Sequence, residues 1–363
     1  AEASAESEDP WNRAVGLTAL CAVESEQRNR KAAYEACVAA ARPVRRRGSD
    51  GAVELSNAGA ASEEMFAFDE AERYYLEATK RRPEGSVNPW GRLVRLYLRQ
   101  GRFAEALGAW RRMRSYRQAR QGAHMDQQDQ SEAELIGVSV LLAAGRPDDA
   151  EPISRRTVER PDRQGTSSAS ADQNEGGAFI IDRVAKLGRA RVLEEEAGSA
   201  GWFDALSLRA QAVQLRYEAW RAGLRAIEVL GNPERLFTTL RPECPGSLEL
   251  PSWLDAEVID LVGSGVALAA VARSRQEETL PRMISEPIFA ALEAEAHWRA
   301  GDDEKALQDV ERVLAGLPPS EIMHRARAAA IGASAAEAEG QTDRARELYA
   351  LAMSSDPAVI RRL

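Results

Sequence analysis

The sequence predicts an all-α chain, on three observations. Ala, Leu, Glu and Arg dominate it, and these residues lose little freedom on entering a helix. Apolar residues recur at helical spacing: within 87–120, Trp90, Leu93, Val94 and Tyr97 fall at offsets 0, 3, 4 and 7, one face of a 3.6-residue period. Val, Ile and Thr do not cluster in runs of alternating polarity, as a half-buried strand would require.

Residues 1–9 read as a flexible tail. Asp9-Pro10 opens a helical hairpin over 10–42, with Asp9 as the cap and Pro10 at the first helical position. Its second helix is expected to end before Arg42-Pro43, and the Pro-, Gly- and Arg-rich stretch 43–51 reads as a linker. Residues 52–162 form an N-terminal array of helix pairs. In its first pair, Gly59, Ala71 and Ala78 are small enough for close helix approach, Phe68 and Tyr75 fill space, and Pro83 stops the second helix. Gln118 to Gln130 is an inserted polar stretch that extends a helix or a loop.

Residues 163–177 hold no core-forming side chain and read as a disordered loop. The middle, 178–275, is helical but irregular. Leu187-Gly188 and Trp202 to Leu206 look like repeat fragments, and a long helix through Tyr217 and Trp220 stops at Gly231-Asn232-Pro233. A further helix is expected from Trp253 to Arg275, with Gly263-Ser264-Gly265 inside it as a point of close helix contact. Regular pairs resume over 281–363.

Four pairs share one arrangement. Five residues after Gly101, Gly145, Gly301 and Gly340 come Ala106, Ala150, Ala306 and Ala345. Ala71 precedes Ala106 by 35 residues, but Ala150 follows it by 44 and Ala345 follows Ala306 by 39, so the array is interrupted. With Trp90, Leu93, Tyr97, Gly101, Phe103, Ala106 and Trp110 in place, the chain resembles the tetratricopeptide repeat (TPR) family, whose period is about 34 residues. The likeness covers about two-thirds of the sequence and is best over 52–120. It implies a right-handed superhelical solenoid of antiparallel helix hairpins, broken in the middle, with the first helices of the hairpins lining a concave groove.

That resemblance places Asn88, Arg92, Arg95 and Arg99 on the groove face of one helix, and Trp298 and Arg299 at groove positions of the C-terminal array. Guanidinium groups suit carboxylates, so an acidic peptide segment is the expected partner, and an ordinary solvated Arg face paired with nearby Glu is the competing reading. Trp298 reads as an apolar anchor or as packing beneath a loop. The carboxylate clamp of chaperone-binding members is absent, since Ser56, Ala60 and Leu135 stand at its positions.

Other chemistry is not encoded. The net charge of −9 argues against general nucleic-acid affinity, and the cluster Arg111, Arg112, Arg114, Arg117 and Arg120 reads as a solvated face. His124, His297 and His324 lack partners at metal-ligand spacing, and His297 reads as a packed histidine. No phosphate-cradling or nucleophile-elbow motif is present. No cofactor, metal or catalytic residue is therefore expected. Cys21 and Cys37, on successive helices, read either as two small buried thiols or as a disulfide, while Cys244 has no local partner. No apolar run reaches membrane-spanning length.

The chain opens on Ala1 with a small, acidic stretch, which suits a cut after a signal peptide or simple trimming; export and cytoplasm both remain open. Only four of 48 basic residues are Lys, a skew typical of GC-rich bacterial genomes. The expected function is a non-enzymatic scaffold or adaptor that binds a partner protein or peptide, as a subunit of a bacterial assembly. A regulatory sensor of a peptide or small ligand, and the non-catalytic partner of an enzyme on another chain, are the alternatives.

Overall fold

A computed structural model describes residues 9–27, 29–47, 51–81, 89–121, 127–159, 169–230, 259–276 and 286–356. Every regular element among them is an α-helix. The chain divides into two compact units, one of residues 1–123 with 280–285 and 318–321, the other of 124–279, 286–317 and 322–363.

The first unit holds α1 (Pro10–Glu26), α2 (Arg30–Arg47), α3 (Ala52–Glu64), α4 (Phe68–Thr79), α5 (Pro89–Arg99) and α6 (Phe103–Gln121). These pack as three consecutive hairpins, α1/α2, α3/α4 and α5/α6. Ala58, Ala71 and Ala78 are fully buried. Gly59 is required: a Cβ there would sit 2.5 Å from the Tyr75 ring. Cys21 and Cys37 are joined as a disulfide, with Cα atoms 5.0 Å apart. The helix α2 runs on to Arg47 instead of ending before Pro43. Pro43 removes a single backbone donor from a helix whose preceding residues are rich in alanine.

The second unit holds α7 (Gln127–Ala143), α8 (Pro147–Glu159), α9 (Ala169–Ser199), α10 (Trp202–Leu230), α11 (Ser264–Gln276), α12 (Glu286–Arg299), α13 (Asp303–Gly316), α14 (Ile322–Ala338) and α15 (Thr342–Ser355). Hairpins α7/α8, α12/α13 and α14/α15 have the regular form. In the last of these, Gly332 lets Val310 and Leu348 close in, to 2.8 and 3.0 Å from where a Cβ would stand.

The middle departs from the sequence reading. Leu187-Gly188 lies inside one 31-residue helix, α9, which pairs along its length with the 29-residue α10. Residues 169–177, expected to be disordered, form the start of α9. The apolar stretch from Ala178 on supplies the costly helix nucleus, and extension through Ala169, Ala171 and Glu175 then adds one bond per residue. Residues 163–168 lie outside the described set, as does the expected tail up to residue 8. Gly263 takes φ 91° and interrupts the helical path, while Gly265 has nothing within 4 Å of its Cβ position. That segment is therefore a break, not the expected close contact.

At four hairpin turns, Gly101, Gly145, Gly301 and Gly340 adopt φ of 67–75°, the left-handed C-terminal cap that favours glycine. The α3/α4 turn places Phe66 there at φ 57°.

Candidate functional site

The expected groove lies on first helices, so α3, α5, α12 and α14 decide it. Glu63 lies in the last turn of α3 and is 1% exposed. Arg95 donates to both of its carboxylate oxygens, Nε to Oε1 at 3.0 Å and Nη2 to Oε2 at 2.9 Å. Arg99, one turn further along α5, donates to Oε1 at 2.9 Å. The Tyr75 hydroxyl donates to Oε2 at 2.9 Å. Glu321, wholly buried in the same unit, takes a second bond from Arg99 at 2.7 Å. Arg99 also lies 4.8 Å from the Phe68 ring centroid, within cation–π range.

The second unit repeats this arrangement. Arg327 on α14 donates to both oxygens of Glu295 on α12 at 2.8 Å, and Arg299 adds a bond at 2.6 Å. In both units the two-point pair spans 32 residues. Each ties a first helix to the first helix of the next hairpin.

Electrostatics follow from this pairing. Burial pushes Glu63 up, but Arg95 and Arg99 pull harder and bring it down to about 2. Glu295 is lowered in the same way, its burial outweighed by Arg327 and Arg299. Neighbouring Glu64 behaves oppositely: burial is the main influence and holds it up at about 7, although Arg30 pulls it down.

The expected contact residues therefore separate. Arg95 and Arg99 are buried and neutralised within the first unit, whereas the sequence reading set them towards a ligand. A carboxylate packed against a guanidinium costs less than either charge buried alone. Arg92 stays half-buried, and Asn88 lies outside the described residues. Arg299 is engaged by Glu295 and Asp260. Its guanidinium lies 5.6 Å from the centroid of half-buried Trp298.

Among the clamp positions, Ser56 is 5% exposed and Ala60 is half-buried, while the Leu135 side chain is not among those described. The half-buried His297 pairs through Nδ1 with Asp309 at 2.7 Å, His324 is buried, and His124 lies outside the described residues. In the second basic cluster, Arg111 and Arg112 are exposed. Arg112 sits 4.9 Å over Trp90 of α5, and Arg114 sits 5.2 Å over Trp110, one turn back on the same helix. The side chains of Arg117 and Arg120 are outside the described set.

Glu63 and Glu321 were missed in the sequence because nothing local marks them. The signal was available only as a repeat: Glu63 and Glu295 each precede an Arg by 32 residues. A second missed surface lies on α10, where Trp202, Phe203, Leu206, Val213, Tyr217, Trp220 and Leu224 are 45–80% exposed.

No family model matches the chain, and no curated protein matches it in sequence. Among solved structures it is similar to the crystal structure of the yeast Tom70, at 11% identity over 86% of this chain and 93% of that one, with a TM-score of 0.25. A superposition that loose carries no argument about function. Among the described residues, no helix is long and apolar enough to cross a membrane.

Proposed function

We propose that this chain is a non-catalytic scaffold of the tetratricopeptide type that binds a partner protein or peptide along the first helices of its hairpins. The supporting observation is the buried Glu63–Arg95 pair and its counterpart Glu295–Arg327. A two-point ion pair sets distance and register between successive first helices. A ligand laid across them would meet side chains at fixed spacing, with little ordering cost on the scaffold side. Arg92 and Trp298, both half-buried, together with Asn88, are the proposed contact residues, and Arg92 would supply the charge contact to an acidic segment. Arg95, Arg99 and Arg299 act by holding the helices in place.

Photo-crosslinking residues introduced at Arg92 and at Trp298 test this, with Arg346 on second helix α15 as a control exposed by 76% on its side chain. The expected result is an adduct from position 92, an adduct from position 298 and none from 346. Adducts confined to 346 would reverse the assignment of the binding face.

A further inference from the structure

From the apolar face of α10 we infer that this chain pairs with a second copy of itself, α10 against α10, in antiparallel order. Two faces of this helix are apolar. One carries Ala205, Ala212, Ala219 and Ala226 at seven-residue intervals, all buried, and packs on α9. The other begins at Phe203 and Leu206 and recurs in alternating steps of three and four residues to Leu224 and Ile227. At 100° per residue these two faces lie on well-separated sides of the helix. A strict three-four alternation is the seam of a left-handed helix pair, and here it spans about 36 Å of helix.

The occupant follows from the side chains themselves. In an antiparallel pair related by a two-fold axis, Phe203 of one copy meets Ile227 of the other and Leu206 meets Leu224. Ala210 meets Trp220, and Val213 meets Tyr217. Each large ring thus faces a smaller side chain, the alternation that lets layers interdigitate. A parallel pair would set Trp220 on Trp220 and leave Ala210 facing Ala210. The axis passes at Leu215, so each Arg216 stands one residue from it, level with Gln214 of the other copy. Each is already neutralised within its own copy by Glu194, at 2.8 and 2.9 Å.

The area is sufficient. With Phe203 80%, Val213 66% and Trp220 52% exposed, the seam and flanking Trp202 offer roughly 700 Å² of apolar side-chain surface per copy. Pairing would remove about 1,400 Å², within the about 1,200–2,000 Å² of a stable interface. One copy alone would expose more contiguous apolar surface than the about 300–600 Å² usual for the largest patch of a monomer.

Sedimentation equilibrium on the full chain tests this at about 1–100 µM, the range in which interfaces of ordinary affinity dissociate. The native chain is expected at twice its monomer mass, and Val213→Glu with Trp220→Glu at the monomer mass with unchanged helicity. A native chain that stays monomeric throughout overturns the proposal and assigns the seam to another partner. A double variant that still dimerises overturns it too. Orientation is read independently from disulfide capture in a Cys244→Ser background. Gln214→Cys, beside the axis, is expected to link to itself, and Ser207→Cys, well away from the axis, is not. Equal capture at 207 and 214 would show a parallel pair, and capture at neither would remove the interface.

Discussion

Arg95 grips Glu63 through two hydrogen bonds of 3.0 and 2.9 Å, from one first helix to the previous one, with both side chains out of solvent. The carboxylate also takes bonds from Arg99 and Tyr75. Such a centre holds its neighbours in one arrangement, and its energetics depend on its being complete.

Removing Glu63 therefore costs more than its bonds alone suggest. Glu63→Ala leaves Arg95 and Arg99 short of a buried counter-charge and is expected to lower unfolding stability by about 3–5 kcal/mol, measured by urea denaturation. The pH response follows from the lowered carboxyl. Glu63 ionises near 2 in the folded chain, against an ordinary value of 4.5. The unfolded chain binds the proton first on acidification, so the contribution is full above about 4.5 and is lost as pH falls towards 2. Glu63→Ala should flatten that part of the acid-denaturation curve; an unaltered curve would place the acid sensitivity elsewhere.

Glu64 carries the opposite sign. Its folded carboxyl is raised to about 7 from 4.5, chiefly by burial. The folded chain keeps the proton longer, so a cost to folding grows as pH rises from 4.5 to about 7 and then levels off. Glu64→Gln is expected to stabilise the chain by about 1–3 kcal/mol at alkaline pH and to do little near the unfolded carboxyl value. Thermal melts at the two ends of that window read the difference, and an equal effect at both ends would contradict the assignment.

Close helix approach can be tested at Gly59. Gly59→Ala drives a Cβ to 2.5 Å from the Tyr75 ring, which is buried and bonded to Glu63 and so has little room to yield. A loss of about 1–3 kcal/mol is expected. Gly108→Ala on α6, with nothing within 4 Å of its Cβ position, should instead gain about 0.5–1 kcal/mol from helix propensity. Similar melts for the two variants would exclude packing as the reason for glycine at 59.

The Cys21–Cys37 bond closes a loop with a sequence separation of 16. Replacing both by Ser is expected to cost about 3 kcal/mol by restoring freedom to the unfolded chain. Intact mass with and without reductant should differ by two hydrogens. An unchanged mass with no loss of stability would mean the thiols are not joined.

Local features of the sequence were legible in proportion to how far they depend on near neighbours. Helical period, turn glycines and small residues at crossing points all act within a hairpin. Gly101, Gly145, Gly301 and Gly340, legible in the sequence as repeat positions, take positive φ at the hairpin turns. Helix ends at Pro43 and at 169–177 were misread, because extension of a nucleated helix overrides local breakers and low hydrophobicity. The Arg stripe was found as a pattern, but not its environment. Whether Arg95 faces water or Glu63 depends on a residue 32 positions away, across a hairpin.

By itself, then, the sequence determined the all-α class, the hairpin register and the close-approach glycine at 59, because sterics and helix periodicity act over a few residues. Tertiary structure alone decided that Arg95 and Arg99 serve Glu63 and Glu321 and not the solvent. It also decided that the alanine face of α10 is covered while its aromatic face is left exposed. Burial and charge pairing are properties of packed neighbours, and packing brings together residues that no local pattern links.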